Sequence, residues 1–347
     1  MNQLQAATPG EVANKTYDPL DLEVKQNPYP FYDLLRHDEP VKWLEGMQAF
    51  AVASYEDVDA LLKNGKLYSS AQFWPALLGE YDPVPEVPPM ISMDPPDHMH
   101  LRKIANKAFT PSKVAGLQQR ATDIANQLVD DIVAKYGQEG ECDWVWDFTA
   151  LYPVTVIAEV LGVPTERRAE FKVWVDDTLA AANRAAYDGP RLAQIEENSR
   201  QLRAFMEEIV DQRTANLGDD IISTLIQAEV QGEKLTRLEV LSMAVLLLIG
   251  GVETTTNLLG STMTLLNRYP DVYQRVRNDP TLIPALLEEV LRFEPPVQMI
   301  FRHTTEDTEL GGVAIPKGST IMPLLASANR DESKFPNGEA VDIDRKN

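Results

Sequence analysis

The chain is poor in cysteine. Cys142 is the only one among 347 residues, which excludes an intramolecular disulfide framework and fits a reducing compartment. Positive charge is scarce as well: 32 Lys and Arg stand against 53 Asp and Glu, a formal net charge of -21. That balance argues against a broad nucleic-acid surface and against tight adsorption to anionic membranes, so any basic docking patch must be local. The N-terminal MNQLQAATPGEVANKTYDPL holds no apolar stretch of the kind a secretory signal needs, and residues 1–17 read as a loose tail. The most apolar helical run, Leu241 to Ile249, is about half the length a bilayer requires and is soon followed by Glu253, so no membrane span is expected. There is no internal repeat and no low-complexity tract. A cytoplasmic, monomeric protein is the expectation.

What is present is ordinary globular material, 44% hydrophobic and 24% charged. Amphipathic periodicity predicts helices over Asn27 to His37, from Asp94, and over Gln118 to Tyr136, Leu151 to Leu161, Glu166 to Arg184, Pro190 to Leu217, Leu235 to Tyr269 and Leu282 to Phe293. GMQAFAVASYEDVDALLKNG reads as strand, turn and helix. After Pro295 come short β-like pieces, with Gly311-Gly312 and Pro316-Lys317-Gly318 at hairpin positions. Tyr68 to Met93 is a proline-bearing segment without a period. Its Phe73, Trp74, Leu77 and Leu78 need cover, so it reads as a functional loop and not as disorder. The expected fold is mainly α, a large helical lobe with a small β-rich lobe, in one continuous domain over residues 18–347.

The apolar helix ends in LLLIGGVETTT, Leu246 to Thr256, where two glycines and three threonines each lower helix propensity. At 3.6 residues per turn Leu246, Ile249, Gly250, Glu253 and Thr254 share a face, apolar at its start and acid plus hydroxyl at its end. The Thr254 hydroxyl can bond back to the Gly250 carbonyl and open the helix locally. Without Cβ atoms at Gly250 and Gly251 a flat object could lie against the backbone. Close packing through small residues explains the glycines equally well; the acid and hydroxyl favour a site, because a buried carboxylate is costly without partners or work.

Two further motifs carry charge. In MDPPDHMHLRKIANKAFTP, Asp94 can cap a helix that stacks His98 and Arg102 on one face, donors suited to a ligand's carboxylates. An isolated H-x-x-x-R is more often a solvated basic face. His98 and His100, two apart, point to different faces and make a poor metal site. In ALLEEVLRFEPPVQMIFRHT, Glu289 and Arg292 are i,i+3 neighbours among apolar residues, so this helix reads as buried nearly all round. A buried pair needs further partners, and Arg345 of VDIDRKN is a candidate.

H-x-x-x-R after D-P-P-D, then G-G-x-E-T in a long helix, E-x-x-R, P-P-V followed by Arg302, and ANRDESKFPNGEAVDIDR, in that order, resemble a bacterial cytochrome P-450, a soluble haem-thiolate monooxygenase. The resemblance runs from about Asp18 to the end and takes in SYEDVDALLKN, KAFTPSKV, VIAEVLGVP and DDIISTLIQAE. It implies that His98 and Arg102 contact one haem propionate and Arg302 the other. Glu253 and Thr254 match the acid-alcohol pair that relays protons to bound dioxygen, with Gly250 and Gly251 forming the groove over the haem. Glu289, Arg292 and Arg345 match the internal ion network. Phe73, Trp74, Leu246, Ile249 and Val297 become walls of the substrate pocket, and the Phe73 to Leu78 loop with the Ala185 to Pro190 hinge becomes its lid.

The implied reaction inserts one oxygen atom from O2 into a mostly hydrophobic small molecule, by hydroxylation or epoxidation, with secondary metabolism as the expected setting. The implied cofactor is haem b, reduced by ferredoxin, which ferredoxin reductase supplies from NAD(P)H. Lys103 and Lys107 are candidates for the donor's docking patch. The family's iron ligand is a cysteine in the pattern F-x-x-G-x-x-x-C-x-G, shortly after the segment that VDIDR matches. Nothing around Cys142 fits it, so the axial cysteine and the helix after it are expected beyond Asn347. Two competing readings stand beside this one: a truncated, non-catalytic binding or interaction protein without the thiolate, and a haem-thiolate enzyme that uses peroxide or isomerises its substrate. The intact Glu253 and Thr254 favour dioxygen.

Overall fold

The computed structural model describes residues 16–346 with the exception of Gln231. In chain order the described elements are α1 (Leu22–Gln26), α2 (Tyr29–Asp38), β1 (Val41–Leu44), β2 (Ala49–Val52), α3 (Tyr55–Lys63), β3 (Tyr68–Ser69), α4 (Phe73–Leu78), α5 (Asp97–Ala105), α6 (Pro111–Tyr136), α7 (Tyr152–Val160), α8 (Arg168–Ala180), α9 (Gly189–Ala215), α10 (Ile221–Gln227), β4 (Glu229–Val230) and β5 (Glu233–Lys234). They continue with α11 (Arg237–Arg268), α12 (Pro270–Asn278), α13 (Ile283–Phe293), β6 (Arg302–Thr304), β7 (Thr308–Leu310), β8 (Val313–Ile315), β9 (Thr320–Pro323) and α14 (Leu325–Ala328). The chain forms two compact units, one from the residues up to Gln72 together with those from Ser261 on, the other from Phe73–Gly260.

The first unit is organised by a five-stranded sheet in the order β1-β2-β9-β6-β3. β2 and β9 run parallel, with Ala49 opposite Thr320 and Val52 opposite Pro323, and the other pairs are antiparallel. Successive residues of a strand point to opposite faces, and both faces are covered here. Ala51 and Met322 pack with Phe31, Tyr32 and Leu35 of α2, whereas Val52 and Ile321 pack with Val58 and Leu61 of α3 and with Leu310 and Ile315 of the β7-β8 hairpin. That hairpin turns on Gly311 and Gly312, whose φ of 55° and 79° suits the tight turn read from the sequence. Residues 1–15 of the expected tail lie outside the described residues. Tyr17, also assigned to the tail, is buried, its ring 5.5 Å from that of Tyr32.

The second unit is helical, apart from the small β4-β5 hairpin, around one large apolar core. α11 contributes Val240, Leu241, Ala244, Val245, Leu248, Ile249 and Val252, the stripe of a helix with one face inward. α9 answers with Ile195, Leu202, Phe205, Met206 and Ile209, and α8 with Phe171 and Val175. Asp188 caps α9 and Asp220 caps α10, each through a carboxylate that accepts a first-turn N–H. By length and composition α11 could cross a bilayer, with a mean hydropathy of 1.7 over its most apolar window. Half of that window is buried in the fold, as in a core helix. The Tyr68 to Met93 segment is not the featureless loop expected: Phe73–Leu78 is helical, and the Trp74 N–H donates to Ser92 Oγ at 2.8 Å.

Ile321 is fully buried at the centre of the sheet. Ile321→Ala removes buried methyl groups and leaves a cavity, so urea unfolding should show a loss of about 2–5 kcal/mol. Lys63→Ala, on the solvent side of α3, should change stability by no more than about 0.5 kcal/mol.

Candidate functional site

The middle of α11 carries the features singled out from the sequence. Leu246 is half-buried and Ile249 buried, both in the core of the second unit, and the next residue, Gly250, is exposed. A Cβ built on Gly250 would meet nothing within 4 Å, whereas one on Gly251 would sit 3.6 Å from Ile157 Cδ1. The two glycines therefore differ: Gly251 is a packing glycine against α7, and Gly250 faces open space. Thr254 Oγ1 donates to the Gly250 carbonyl at 2.6 Å, so the hydroxyl hydrogen is committed and the oxygen's lone pairs remain available. Thr256 Oγ1 donates to Thr149 O at 3.0 Å, fixing the following turn to the segment before α7.

Glu253 lies on the exposed side of α11, yet protein crowds its carboxyl. The lost hydration raises its pKa above the usual glutamate range, and the nearby Asp176 carboxylate adds to the rise. Accessible area and crowding pull in different directions here. The direction of the shift follows from the crowding.

α5 begins at Asp97, later than a cap at Asp94 would place it; the Asp94 carbonyl accepts the His98 N–H at 3.0 Å. Leu101, Ile104 and Ala105 turn into the same apolar core as Leu248 and Ile249 of α11. His98 is half-buried and Arg102 exposed, and neither side chain has an ion-pair or hydrogen-bond partner among the described residues. His100 is engaged elsewhere, with Nε2 3.0 Å from Glu233 Oε2 on β5. Phe73 is partly buried and Trp74 buried at 4% exposure, both against this same core.

The remaining residues belong to the first unit. Glu289 and Arg292 are buried at 4% and 7% exposure. Arg292 Nε and Nη2 donate to the two Glu289 oxygens at 2.8 Å each, and its other N–H groups reach the carbonyls of Asn329, Gly338 and Ala340 at 2.8–2.9 Å. Arg345 Nε lies 3.4 Å from Glu289 Oε2, an ion pair without hydrogen-bond geometry, and the Asp342 N–H donates to Glu289 Oε1 at 2.7 Å. The helix is not buried all round as expected: Ile283, Glu288 and Leu291 of α13 face solvent. Arg302 on β6 is half-buried, with Nη1 donating to Phe301 O at 2.9 Å, and Val297 is 40% exposed.

Sequence reasoning missed two groups here. His303 has Nε2 3.1 Å from Thr320 Oγ1, a buried Nδ1 with no hydrogen-bond partner, and a pKa lowered by burial. Arg330 lies buried between the rings of Tyr29 and Phe293, its Cζ 3.3 and 3.7 Å from their centroids. Strand alternation could have marked His303 as opposite in direction to Arg302; no local pattern signals Arg330.

The residues fit a flat, dianionic cofactor in part. An open glycine face and two nitrogen donors, His98 and Arg102, with no partners among the described residues are what a porphyrin with carboxylate tails would use. The chain's one thiol, Cys142, is exposed.

With this geometry in place, comparison with known proteins identifies the class. Residues 36–345 match the Cytochrome P450 family. Among solved structures, cytochrome P450 CYP109Q5 from Chondromyces apiculatus is 41% identical with a TM-score of 0.85, over 94% of this chain and 80% of that one. CYP109E1 from Bacillus megaterium, in complex with testosterone, is 32% identical with a TM-score of 0.80, over 92% and 81% of the two chains. The mycinamicin IV hydroxylase/epoxidase of Micromonospora griseorubida is 34% identical over 91% of this chain and 81% of its own length. The chain belongs to the cytochrome P450 family, and it is accordingly an oxidoreductase of the haem monooxygenase class.

Two outcomes follow for these side chains. Glu289→Gln leaves Arg292 buried without its counter-charge and should cost about 3–5 kcal/mol in urea unfolding. Combining it with Arg292→Ala should cost less than the two changes summed, because they share one network. For Glu253, a carboxyl raised in the fold holds its proton more tightly folded than unfolded. Its ionised form therefore destabilises the fold above the raised value, and the penalty vanishes as pH falls toward the ordinary glutamate range. Glu253→Gln should raise the urea midpoint at mildly alkaline pH, with the gain shrinking on acidification.

Proposed function

We propose that the protein inserts one oxygen atom from O2 into a mostly hydrophobic small molecule, as a hydroxylation or an epoxidation. Both units then belong to one catalytic domain, in keeping with a family match that spans them. The observation that carries the proposal is the open Gly250 face on α11, with the Thr254 hydroxyl bonded to its carbonyl and the raised Glu253 carboxyl on the same helix.

Haem b, when bound, supplies the site at which dioxygen is reduced and the oxidising power for the C–H or alkene carbon. The reaction takes RH, O2, two electrons and two protons to ROH and water, so two protons must be delivered where solvent is otherwise kept away. Glu253 suits the proton-carrying role because its raised pKa keeps a larger protonated fraction near neutrality. Thr254, its own hydrogen directed at the Gly250 carbonyl, presents an acceptor oxygen that orients an incoming donor; it is not itself the first source of a proton. His98 and Arg102 would hold one propionate and Arg302 the other. Gly250 and Gly251 would form the cradle. Leu246, Ile249, Phe73, Trp74 and Val297 would shape the apolar substrate pocket, for which the testosterone bound by the relative is a suitable probe.

Electrons would come from NAD(P)H through ferredoxin reductase and ferredoxin, with the exposed Lys103 and Lys107 as the local basic patch on an acidic protein. Cys142 has neither the motif nor the burial for the axial thiolate. The protein would act as a monomer in the cytoplasm.

Titration of the protein with haemin tests the cradle directly. His98→Ala combined with Arg102→Ala should weaken haemin at least about tenfold, a loss of ~1.4 kcal/mol, without moving the unfolding midpoint of the free protein. Unchanged affinity would remove the assignment. In the haem-loaded enzyme given electrons, Thr254→Ala should lower the product formed per electron pair consumed, read with testosterone as the probe substrate. The carbon monoxide difference spectrum of the reduced protein separates thiolate-bound haem from a non-catalytic binding protein.

A further inference from the structure

The segment Phe73 to Met93 is fastened at several points within the second unit, and the fastenings differ in chemistry. At its start the Trp74 N–H donates to Ser92 Oγ, a buried bond. Within it, the Val84 N–H donates to Asp82 Oδ1 at 2.9 Å, and burial raises the Asp82 carboxyl above the usual range in spite of that bond. Two arginines hold the rest. Arg184 lies in the short helical stretch Ala181–Ala186 between α8 and α9, and Arg203 lies within α9.

Arg184 answers a need created by α4. That helix is six residues long and ends at Leu78, followed by Gly79 with φ of 56°, so its last-turn carbonyls have no helical partners. Arg184 Nη1 donates to Leu77 O at 2.9 Å and Nη2 to Ala76 O at 3.2 Å, and Nη1 also reaches its own Ala181 carbonyl at 3.3 Å. No carboxylate takes part in these bonds. Arg203 works differently: it donates to Pro83 O at 3.2 Å but chiefly pairs with the exposed Glu86, at 2.7 and 2.9 Å, and with Glu207 at 3.1 Å. Salt screens an exposed ion pair and leaves a guanidinium bound to carbonyls far less affected.

We propose that Arg184 is a positioning residue for the substrate: it holds the last turn of α4, and with it Phe73, Trp74 and Leu77, in place, while Arg203 separately fastens residues 83–86. The substrate part of this rests on the pocket reading given above. The segment then has two independently releasable parts, and salt loosens the Arg203 part first.

Amide hydrogen exchange on the protein, with Arg184→Ala, Arg184→Lys and Arg203→Ala, tests the fastening without any cofactor. In Arg184→Ala, exchange at residues 77–82 should rise at least about tenfold with the urea midpoint unchanged, and lysine, still a carbonyl donor, should restore part of the protection. Arg203→Ala, and added salt in the wild type, should accelerate residues 83–87 and leave 77–82 within about twofold. A rise below about twofold at 77–82 in Arg184→Ala, or an equal rise there in Arg203→Ala, would overturn the two-part fastening. Equilibrium dialysis with testosterone as probe reads the positioning role. Arg184→Ala should weaken it at least about fivefold and Arg184→Lys less, whereas equal affinity in all variants would sink that role. Absence of testosterone binding to the wild type would instead count against the pocket reading, with the exchange rates still deciding the latch.

Discussion

A helix of 32 residues with a long apolar window has to hide that window or leave water for it, and the arrangement around α11 follows from this constraint. Its first half is covered by α8, α9 and α10 in one core. The cover opens on one side at Gly250, while Gly251 and Val252 still pack. There the exposed backbone is left without a side chain to shield it, and the next turn is tied down by hydroxyl-to-carbonyl bonds from Thr254 and Thr256. Local propensity is lowered where the helix surface opens, a conflict between local and global preference of the kind that functional sites commonly carry.

Besides its many carboxylate pairs, arginine serves in this acidic chain as a carbonyl donor. Arg292, Arg330 and Arg184 each bond main-chain oxygens left over at the ends of helices or in turns. A planar fork with five donors can satisfy several such oxygens at once, a job that lysine does less well. Arg292 also carries its own counter-charge in Glu289, so neither ion is left alone in the interior.

Much of this was legible beforehand, and the reasons are local. Helix existence followed from periodicity, because stripes such as Leu241, Ala244, Val245, Leu248 and Val252 are set by the 3.6-residue repeat. The Thr254 bond followed from a fixed i,i+4 spacing, and the Glu289 pair from i,i+3. What could not be read lies at long range. Nothing near Ala49 announces that β2 pairs with β9, some 270 residues on, and this pairing is why strands near both ends share one sheet. The turn at Phe73–Leu78 was hidden by its prolines and shortness, its carbonyls being satisfied by an arginine more than a hundred residues away. The one-sided burial of α13 was missed because Leu287 and Leu291 look like core residues in sequence, although Leu291 faces solvent.

The parallel pairing of β2 with β9 also orders events in time. A ribosome releases Ala49 long before Thr320, so the sheet of the first unit cannot close until β9 has emerged, whereas the second unit, Phe73–Gly260, is contiguous and can condense while β1 and β2 still wait for β9. During that wait Ala51, Val52 and their neighbours have no partner on the β9 side, an exposed strand edge of the kind that invites association with other nascent chains. Slowed synthesis between Gly260 and Thr320 would lengthen that interval.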